Sequence, residues 1–277
     1  MKAKEKLVAE LEGKIPKKYL HKLPSRYPII GNALVIRLEK DLLPYGKLIG
    51  EALIKIFPKV KGVWAITTTR KIIREPQTIF LAGTRDPIVL HREFNTYFKV
   101  DVERLTFSPG NRGERKRLLE LVDEAQIIVD MFACVGNLSL PIAVNIDVEC
   151  IYAIEINPYA FKFLAENILL NNVQGKVIPI LGNNARFDKR DIADHVLLGF
   201  LPKPTSEQLL AALRVVGDGG IIHYHTLVRK GAEKSKLAEL MKHIKEFGFD
   251  PSLFEYRVVK SFSPALNHVV YRVRINK

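Results

Sequence analysis

The fold is decided by residues 128–137, whose sequence is Ile128-Val129-Asp130-Met131-Phe132-Ala133-Cys134-Val135-Gly136-Asn137. An apolar strand ends there at an acid and enters a turn of small residues. A second apolar strand, residues 151–155, ends at Glu155. In a doubly wound α/β sheet, such a turn lets the backbone approach a nucleoside cofactor, and the acid accepts hydrogen bonds from the ribose hydroxyls. We therefore expect a nucleoside-type cofactor at this edge of a parallel sheet.

The turn lacks a full G-x-G-x-x-G pattern, so phosphate binding is not favoured. Its D-x-F-x-x-x-G pattern instead resembles the S-adenosylmethionine (SAM) site of class I methyltransferases. Asn183 and Asn184 follow a third strand, residues 177–181, and their amides could pair with the adenine edge. Taken alone, Asp130 could be a helix cap and the two asparagines a turn. Together, the three elements indicate a SAM site.

Hydrophobic periodicity divides the chain into three parts. Residues 101–277 alternate strand and helix, which predicts a parallel sheet completed by an antiparallel strand pair. Residues 27–100 predict a smaller α/β domain with an antiparallel sheet. Residues 1–26 predict a basic N-terminal segment with one short helix and no strong core pattern, which suggests a mobile arm. The predicted class is α/β: a class I SAM-dependent, Rossmann-like mixed sheet with a smaller N-terminal α/β domain.

Composition limits the function further. The 277 residues carry a net charge of +13 and are 47% hydrophobic. They include neither an apolar run of roughly 20 residues that would span a membrane nor a secretory signal. Two cysteines form neither a disulfide framework nor a metal pattern. We expect a cytoplasmic, monomeric protein that needs no metal.

The positive charge predicts a polyanionic partner, although a lysine-rich surface can also serve solubility alone. Clustering of the basic residues favours nucleic acid. Five of them are candidate phosphate contacts: Lys17, Lys18, Lys22, Arg112 and Lys116.

Residues 107–115, 130–141 and 154–158 together resemble one specific group. They are similar to the archaeal and eukaryotic tRNA guanosine-37 N1-methyltransferases and to the related aminocarboxypropyltransferase of wybutosine biosynthesis. The resemblance covers about residues 27–277. It implies a class I fold, SAM as group donor and tRNA as partner, with residues 27–100 as a candidate for tRNA contact.

The resemblance also implies roles for individual residues. Ser108 and Arg115 would hold the amino-acid end of SAM, and an arginine fork suits a carboxylate. Glu114 matches the general base of the methyltransferases, but it could equally pair with a neighbouring arginine. Cys134 stands where the methyltransferase loop usually has glycine. The remaining expected SAM contacts are Asp130, Phe132, Ala133, Gly136, Glu155, Ile156, Asn183, Asn184 and Gly199.

One segment separates the two activities. Residues 198–202 are Leu198-Gly199-Phe200-Leu201-Pro202. The methyltransferases have an Asn-Leu-Pro type motif here, whose asparagine helps to hold the target base, whereas Gly199 resembles the aminocarboxypropyltransferases. His223-Tyr224-His225 and Asn267-His268 are also closer to that branch, although buried histidines often have only a structural role. Phe200 is either a stacking platform for the base or a core residue. Pro202 is a candidate catalytic residue, together with Glu114, Arg115 and Phe200.

The sequence thus predicts transfer of the 3-amino-3-carboxypropyl group from SAM to 4-demethylwyosine at position 37 of phenylalanine tRNA, with release of methylthioadenosine. The first alternative is the guanosine-37 N1-methyltransferase, which Glu114 favours and Gly199 opposes. The second is a tRNA-binding module with a degenerate SAM site, which Cys134 and Asn183 favour.

Overall fold

The computed structural model describes residues 2–69 and 76–277. Two compact units make up the chain. The first contains the described residues up to Arg92 together with Tyr97–Pro109, and the second contains Glu93–Thr96 and Gly110–Lys277. Residues 1 and 70–75, which belong to the predicted segments 1–26 and 27–100, lie outside the described residues. Within the described residues, no helix is both long enough and apolar enough to cross a membrane.

The first unit contains a mixed sheet with helices and a separate two-stranded sheet, β5–β6. The four strands of the mixed sheet lie in the order β1-β2-β3-β4. A 3-10 helix, Lys40–Tyr45, precedes α3. The elements are α1 (Ala3–Leu11), α2 (Lys17–Leu20), β1 (Ile29–Ile30), β2 (Ala33–Arg37), α3 (Gly46–Ile56), β3 (Gly62–Thr69), β4 (Pro76–Gly83), β5 (Ile88–Glu93) and β6 (Thr96–Asp101).

The sheet of the first unit is not wholly antiparallel, which corrects the prediction. Strands β2 and β3 run parallel, with Leu34 opposite Val63. The physical reason is the helix between them, because a parallel pair needs a crossover connection and α3 supplies it. The pairs β1–β2 and β3–β4 are antiparallel, as expected.

The predicted mobile arm is wrong. Leu7 and Leu11 of α1 and the following Ile15 and Leu23 are buried in one cluster with Leu34 and other residues of the first unit. The first three of these residues are four apart, and the last follows eight residues later, which is typical of an apolar helix face and its continuation. The basic residues between them masked this pattern. Residues 2–26 are therefore part of the core of the first unit rather than a separate segment.

The second unit is built on a seven-stranded sheet with the order β12-β13-β11-β10-β7-β8-β9. Strands β11, β10, β7, β8 and β9 are parallel, and β13 runs antiparallel between β11 and β12. This confirms the predicted parallel sheet with a terminal antiparallel pair. The elements are α4 (Arg112–Leu121), β7 (Ile127–Asp130), α5 (Ser139–Asn145), β8 (Cys150–Glu155), α6 (Pro158–Leu170), β9 (Val177–Leu181), β10 (Ala193–Leu198), α7 (Ser206–Val215), β11 (Val216–Arg229), α8 (Glu233–Glu246), β12 (Asp250–Ser261) and β13 (Leu266–Asn276).

The two faces of this sheet differ in polarity. One face is apolar. Its strand residues, which include Val196, Ile222 and Tyr271, form a core with residues of α7 and α8. Because side chains alternate along a strand, the residues between these point to the opposite face. There, His223 of β11 lies opposite Arg272 of β13, and both are 0% exposed. The opposite face therefore buries an unusual set of polar side chains.

Candidate active site

The candidate site lies beyond the carboxyl ends of β7, β8 and β10, where the order of the strands reverses. Ligands of doubly wound sheets bind in the crevice at such a point. The β7 turn and the end of β8 meet there through Glu155. Its Oε2 accepts a hydrogen bond of 2.8 Å from the Cys134 amide, and its Oε1 accepts one of 2.8 Å from the Asn157 amide. Glu155 therefore links the two loops that the sequence assigned to the cofactor.

Both oxygens of Glu155 keep a second lone pair after accepting one amide each. Burial raises the pKa of this carboxyl, and the amides of Asn157 and Cys134 partly offset the rise. The carboxylate can thus receive further hydroxyl donors without rearranging. A ribose diol would need an acceptor of this kind.

The β7 turn holds two residues in the left-handed region of backbone space. Cys134 has φ of +51° and Gly136 has φ of +90°. Glycine is favoured at such positions because it lacks a Cβ, which explains why related loops have glycine where this chain has Cys134. A Cβ on Gly136 would lie 2.2 Å from Leu140 Cγ, so no side chain fits there. The buried Asn167 side chain donates a 3.0 Å hydrogen bond to the Val135 carbonyl and fixes the turn from below.

The Gly136→Ala variant is expected to lose about 2–4 kcal/mol of the free energy of unfolding, because a positive φ and overpacking each cost about 1–3 kcal/mol. SAM binding should weaken as well, since the turn must move to admit the Cβ. Denaturant unfolding and calorimetric SAM titration would measure both effects. Gly182→Ala is the matched control, because a Cβ at Gly182 meets no atom within 4 Å. Equal stability of the two variants would contradict the argument.

Asp130 closes β7 and is fully buried. Its Oδ1 accepts a 3.1 Å hydrogen bond from the Phe132 amide. Burial raises its pKa to about 6, against the opposing effect of that amide. The arrangement holds the first residues of the turn, so Asp130 shapes the site from behind the backbone.

The predicted adenine contacts lie beyond β9. Asn183 is exposed, and its Oδ1 accepts a 3.0 Å hydrogen bond from the Ala185 amide. Asn184 is buried and donates its side-chain amide to the Met131 carbonyl, which ties β9 to β7. Among the described residues, Asn184 Oδ1 has no hydrogen-bond partner. Ile156 is 48% exposed beside Glu155 and offers an apolar surface for a flat ring.

The loop after β10 contacts the β7 turn through two aromatic rings. Phe200 stacks on Phe132 at 5.0 Å with 28° between the planes. A Cβ on Gly199 would lie 3.2 Å from Leu138 Cδ1, so this glycine sits close against the entry to α5. Pro202 is exposed, and its carbonyl accepts a 2.8 Å hydrogen bond from the Leu227 amide. Phe200 is therefore packed on the turn, and its role as a base platform stays a prediction.

Glu114 does pair with an arginine, the alternative left open by the sequence. Its Oε1 lies 2.5 Å from Arg272 Nη2, and both residues are 0% exposed. Arg272 Nη1 also donates a 2.9 Å hydrogen bond to Glu255. Despite the favourable field of Arg272, burial raises the pKa of Glu114. Among the described residues, Oε2 of Glu114 has no hydrogen-bond partner.

Arg115 has a different partner from the one that the resemblance implies. Its fork binds the buried Glu93 carboxylate through bonds of 3.0 Å from Nε and 2.9 Å from Nη2. A bidentate pair of this kind is strong and directional. In the structure, this edge of Arg115 therefore binds Glu93 and does not face a cofactor carboxylate. Ser108 belongs to the first unit, and its role stays a prediction.

The candidate RNA contacts are divided between the units. Lys17 and Lys18 of the first unit are exposed, whereas Lys22 is paired with Asp41 at 2.6 Å. That bond raises the pKa of Lys22 and places its charge beside an acid. In the second unit, Arg112 is exposed, with its guanidinium 4.9 Å from the Phe94 ring centre, and the exposed Lys116 lies 3.7 Å from Glu120. Lys22 is therefore the weakest of the five candidates.

Sequence reasoning missed Arg272, Glu93 and the arrangement of the histidines. Arg272 is the sole charged residue in the otherwise apolar run 269–273, and that interruption was a usable signal. Two histidine pairs lie in the buried polar layer: His195 Nδ1 is 2.9 Å from His223 Nε2, and His225 Nδ1 is 3.0 Å from His268 Nε2. The H-x-H spacing of His223 and His225 is typical of two side chains on one strand face, but it does not reveal these partners.

The residues present fit SAM. The β7 turn has glycine at a position where Leu140 leaves no room for a Cβ, Glu155 presents a carboxylate at a strand end, and Asn184 has an unpaired buried acceptor. Among the described residues, no cluster of three His, Cys, Asp or Glu side chains could hold a metal ion.

Comparison with known proteins agrees with this geometry. The TRM5/TYW2 methyltransferase domain model matches residues 89–252, and the TYW2 N-terminal domain model matches residues 7–86. The tRNA(Phe) (4-demethylwyosine(37)-C(7)) aminocarboxypropyltransferase of Pyrococcus horikoshii is 36% identical over 96% of this chain and 95% of the relative. The chain belongs to the TRM5/TYW2 family.

Two further TRM5/TYW2 relatives show how the likeness is distributed. The tRNA (guanine(37)-N(1))-methyltransferase Trm5b of Pyrococcus abyssi is 32% identical over 95% of this chain but over only 78% of its own length. The crystal structure of P. horikoshii TYW2 in complex with MeSAdo has a TM-score of 0.80 and 34% identity, covering 99% of each chain. The TRM5/TYW2 fold therefore extends over both units of this chain.

Proposed function

We propose that this protein transfers the 3-amino-3-carboxypropyl group from SAM to 4-demethylwyosine at position 37 of phenylalanine tRNA and releases methylthioadenosine. The observation that carries the proposal is the end-to-end match with a relative named for this activity, 96% of this chain against 95% of the relative. The match of residues 7–86 to the TYW2 N-terminal domain supports the same branch.

The positively charged sulfur of SAM is bonded to three carbons, each of them activated. The protein must present the correct one of these carbons to the target base. Positioning alone can make this choice. We assign the nucleoside end of SAM to Glu155, Ile156 and the Gly136 turn, with Asn184 beneath them. Gly199 stands where the methyltransferases have an asparagine that helps to hold the target base, so this chain lacks that side chain.

The test is the identity of the nucleoside product. Incubation with SAM and tRNA(Phe) carrying 4-demethylwyosine is expected to yield methylthioadenosine, separated and identified by liquid chromatography and mass spectrometry. Release of S-adenosylhomocysteine would contradict the proposal and favour methyl transfer. A second reaction on tRNA with an unmodified guanosine 37 should release neither product, whereas a guanosine-37 N1-methyltransferase would release S-adenosylhomocysteine.

The N1-methyltransferase is the second candidate function, and the buried Glu114 with its raised pKa favours it. The remaining alternative, a tRNA-binding module with a degenerate SAM site, makes a different prediction. It requires that calorimetric titration with SAM give no heat of binding.

For the tRNA we propose that Lys17, Lys18, Arg112 and Lys116 bind phosphates, with the net charge of +13 as support. Each neutralised phosphate should steepen the slope of log K for tRNA binding against log salt concentration by about one unit. From the sequence we further propose that the protein acts in the cytoplasm, as a monomer and without a metal.

A further inference from the structure

The buried polar face of the second unit contains a chain of titratable groups that connects Glu114 to two histidines with no role in the site described above. It begins at Glu114 of α4, continues to His225 of β11 and ends at His268 of β13. Glu114 Oε1 lies 4.0 Å from His225 Nε2, and His225 Nδ1 lies 3.0 Å from His268 Nε2. All three side chains are at most 2% exposed.

This chain starts at the active-site edge of the sheet. The last residue of β10 that pairs with β11 is Leu198, which lies opposite Tyr224. His225 is the next residue of β11, so it lies level with Gly199, the residue that directly follows the end of β10. Glu114 lies in the first turn of α4, against the same face. The three groups therefore lead from the proposed base site into the sheet.

The proposed reaction creates a need for such a path. Attack by C7 on the transferred group forms a carbon–carbon bond and breaks the carbon–sulfur bond. The electron pair of the broken bond stays on sulfur, and the C7 proton must then be removed. A carboxylate with a raised pKa is suited to accept that proton at neutral pH.

We propose that His225 and His268 form a proton relay that takes the C7 proton from Glu114 and so returns Glu114 to its ionised form. The inference rests on the proposed function. Glu114 receives the proton and passes it across the 4.0 Å gap to His225 Nε2 through one bridging water, while the proton on His225 Nδ1 moves to His268 Nε2 and leaves His268 as an imidazolium. His225 acts through Glu114 and is a positioning and relay residue, not one that touches substrate.

Arg272 orients the start of this relay. It holds Glu114 Oε1 at 2.5 Å, so the carboxylate cannot turn away from His225. Burial, with the positive charges of Arg272 and Lys260, keeps the pKa of His225 well below its ordinary value. The resting imidazole is therefore neutral, with one ring nitrogen that can accept a proton and one that can donate a proton. The groups that face His225 are Glu114 of α4, His223 of β11, Lys260 of β12, and His268 and Arg272 of β13.

The structure provides a matched control for the test. His195 is also a buried histidine that bonds to a second histidine, at 2.9 Å from His223, but its other ring nitrogen lies 3.1 Å from the Gln126 side chain instead of facing Glu114. His225→Gln, His268→Gln and His195→Gln remove the same chemical group from the same sheet. All three should lower the melting temperature to a similar degree.

The three variants should differ in turnover. His225→Gln and His268→Gln are expected to lower kcat for methylthioadenosine release about 10- to 100-fold with little change in KM, and to alter the pH profile of kcat. His195→Gln should keep the wild-type profile. Equal effects of the three variants, or a change in KM alone, would overturn the relay. Absence of methylthioadenosine release by the wild-type protein would instead overturn the proposed function and the relay together.

A second readout needs no turnover. In protein labelled with 15N-histidine, Glu114→Gln should shift the ring-nitrogen resonances of His225 and His268 and leave those of His195 in place. Unchanged His225 resonances would show that Glu114 is not coupled to the histidine pair and would also overturn the relay.

Discussion

The Arg272→Met variant is expected to lose about 3–5 kcal/mol of the free energy of unfolding, the cost of breaking a buried ion pair and leaving one charge without compensation. Arg272 is 0% exposed and binds two carboxylates, Glu114 at 2.5 Å and Glu255 at 2.9 Å. Methionine fills much of the same volume, so the loss reports the charge and not a cavity. Chemical denaturation at constant pH would measure it.

The pH dependence of this loss has a definite sign. Burial raises the pKa of Glu114 above its ordinary value of 4.5, and removal of Arg272 should raise it further. An acid whose folded-state pKa is raised loses stability as the pH rises through that pKa, because the unfolded state ionises more easily. The difference between Arg272→Met and wild type should therefore be largest at neutral pH and shrink toward pH 4.5.

Two further variants make the test specific. Adding Glu114→Gln to Arg272→Met should recover part of the stability and flatten the pH dependence, since the uncompensated carboxylate is gone. Arg274→Met is the control on the same strand, because Arg274 is only partly buried and donates to the Gly219 carbonyl rather than to an acid. A loss at Arg274 as large as that at Arg272 would contradict the buried-pair argument.

The Glu155→Gln variant is expected to weaken SAM binding roughly 100-fold, which corresponds to about 2.7 kcal/mol. The carboxylate accepts amides from Cys134 and Asn157 at 2.8 Å each. Glutamine has one acceptor oxygen, so its NH2 group must face one of these amide donors. The variant therefore loses a charge-assisted bond, worth about 1.5–3 kcal/mol, and displaces the loop that approaches the cofactor.

Calorimetric titration of SAM would measure the change. Glu149→Gln is the matched control, because Glu149 directly precedes the same strand and is exposed. Wild-type affinity in Glu155→Gln would show that the carboxylate neither shapes the loop nor contacts the cofactor.

Much of the fold was predictable because it depends on local periodicity. Alternation of strands and helices over residues 101–277 predicted the seven-stranded sheet, and the β12–β13 pair was expected. Two errors had local causes. The crossover through α3 made β2 and β3 parallel, and basic residues concealed the buried Leu7 and Leu11 of α1.

For the site, the sequence indicated the turn, Glu155 and the branch of the family. It indicated less well what each polar side chain binds. Arg115 was assigned to a cofactor carboxylate, and the structure pairs it with Glu93. Asn184 was assigned to adenine, and its amide donates to the Met131 carbonyl. Hydrogen-bond partners were the least predictable property.

What the sequence determined by itself was the order of the elements and the residues at the strand ends, since both follow from hydrophobic period and short-range turn chemistry. Only the tertiary structure decided the buried polar layer. Glu114 and Arg272 are 158 residues apart in the chain and meet because α4 packs on the face that β13 presents. A charge is stable in such a core only beside its partner, and no local pattern specifies a partner at that distance in the chain.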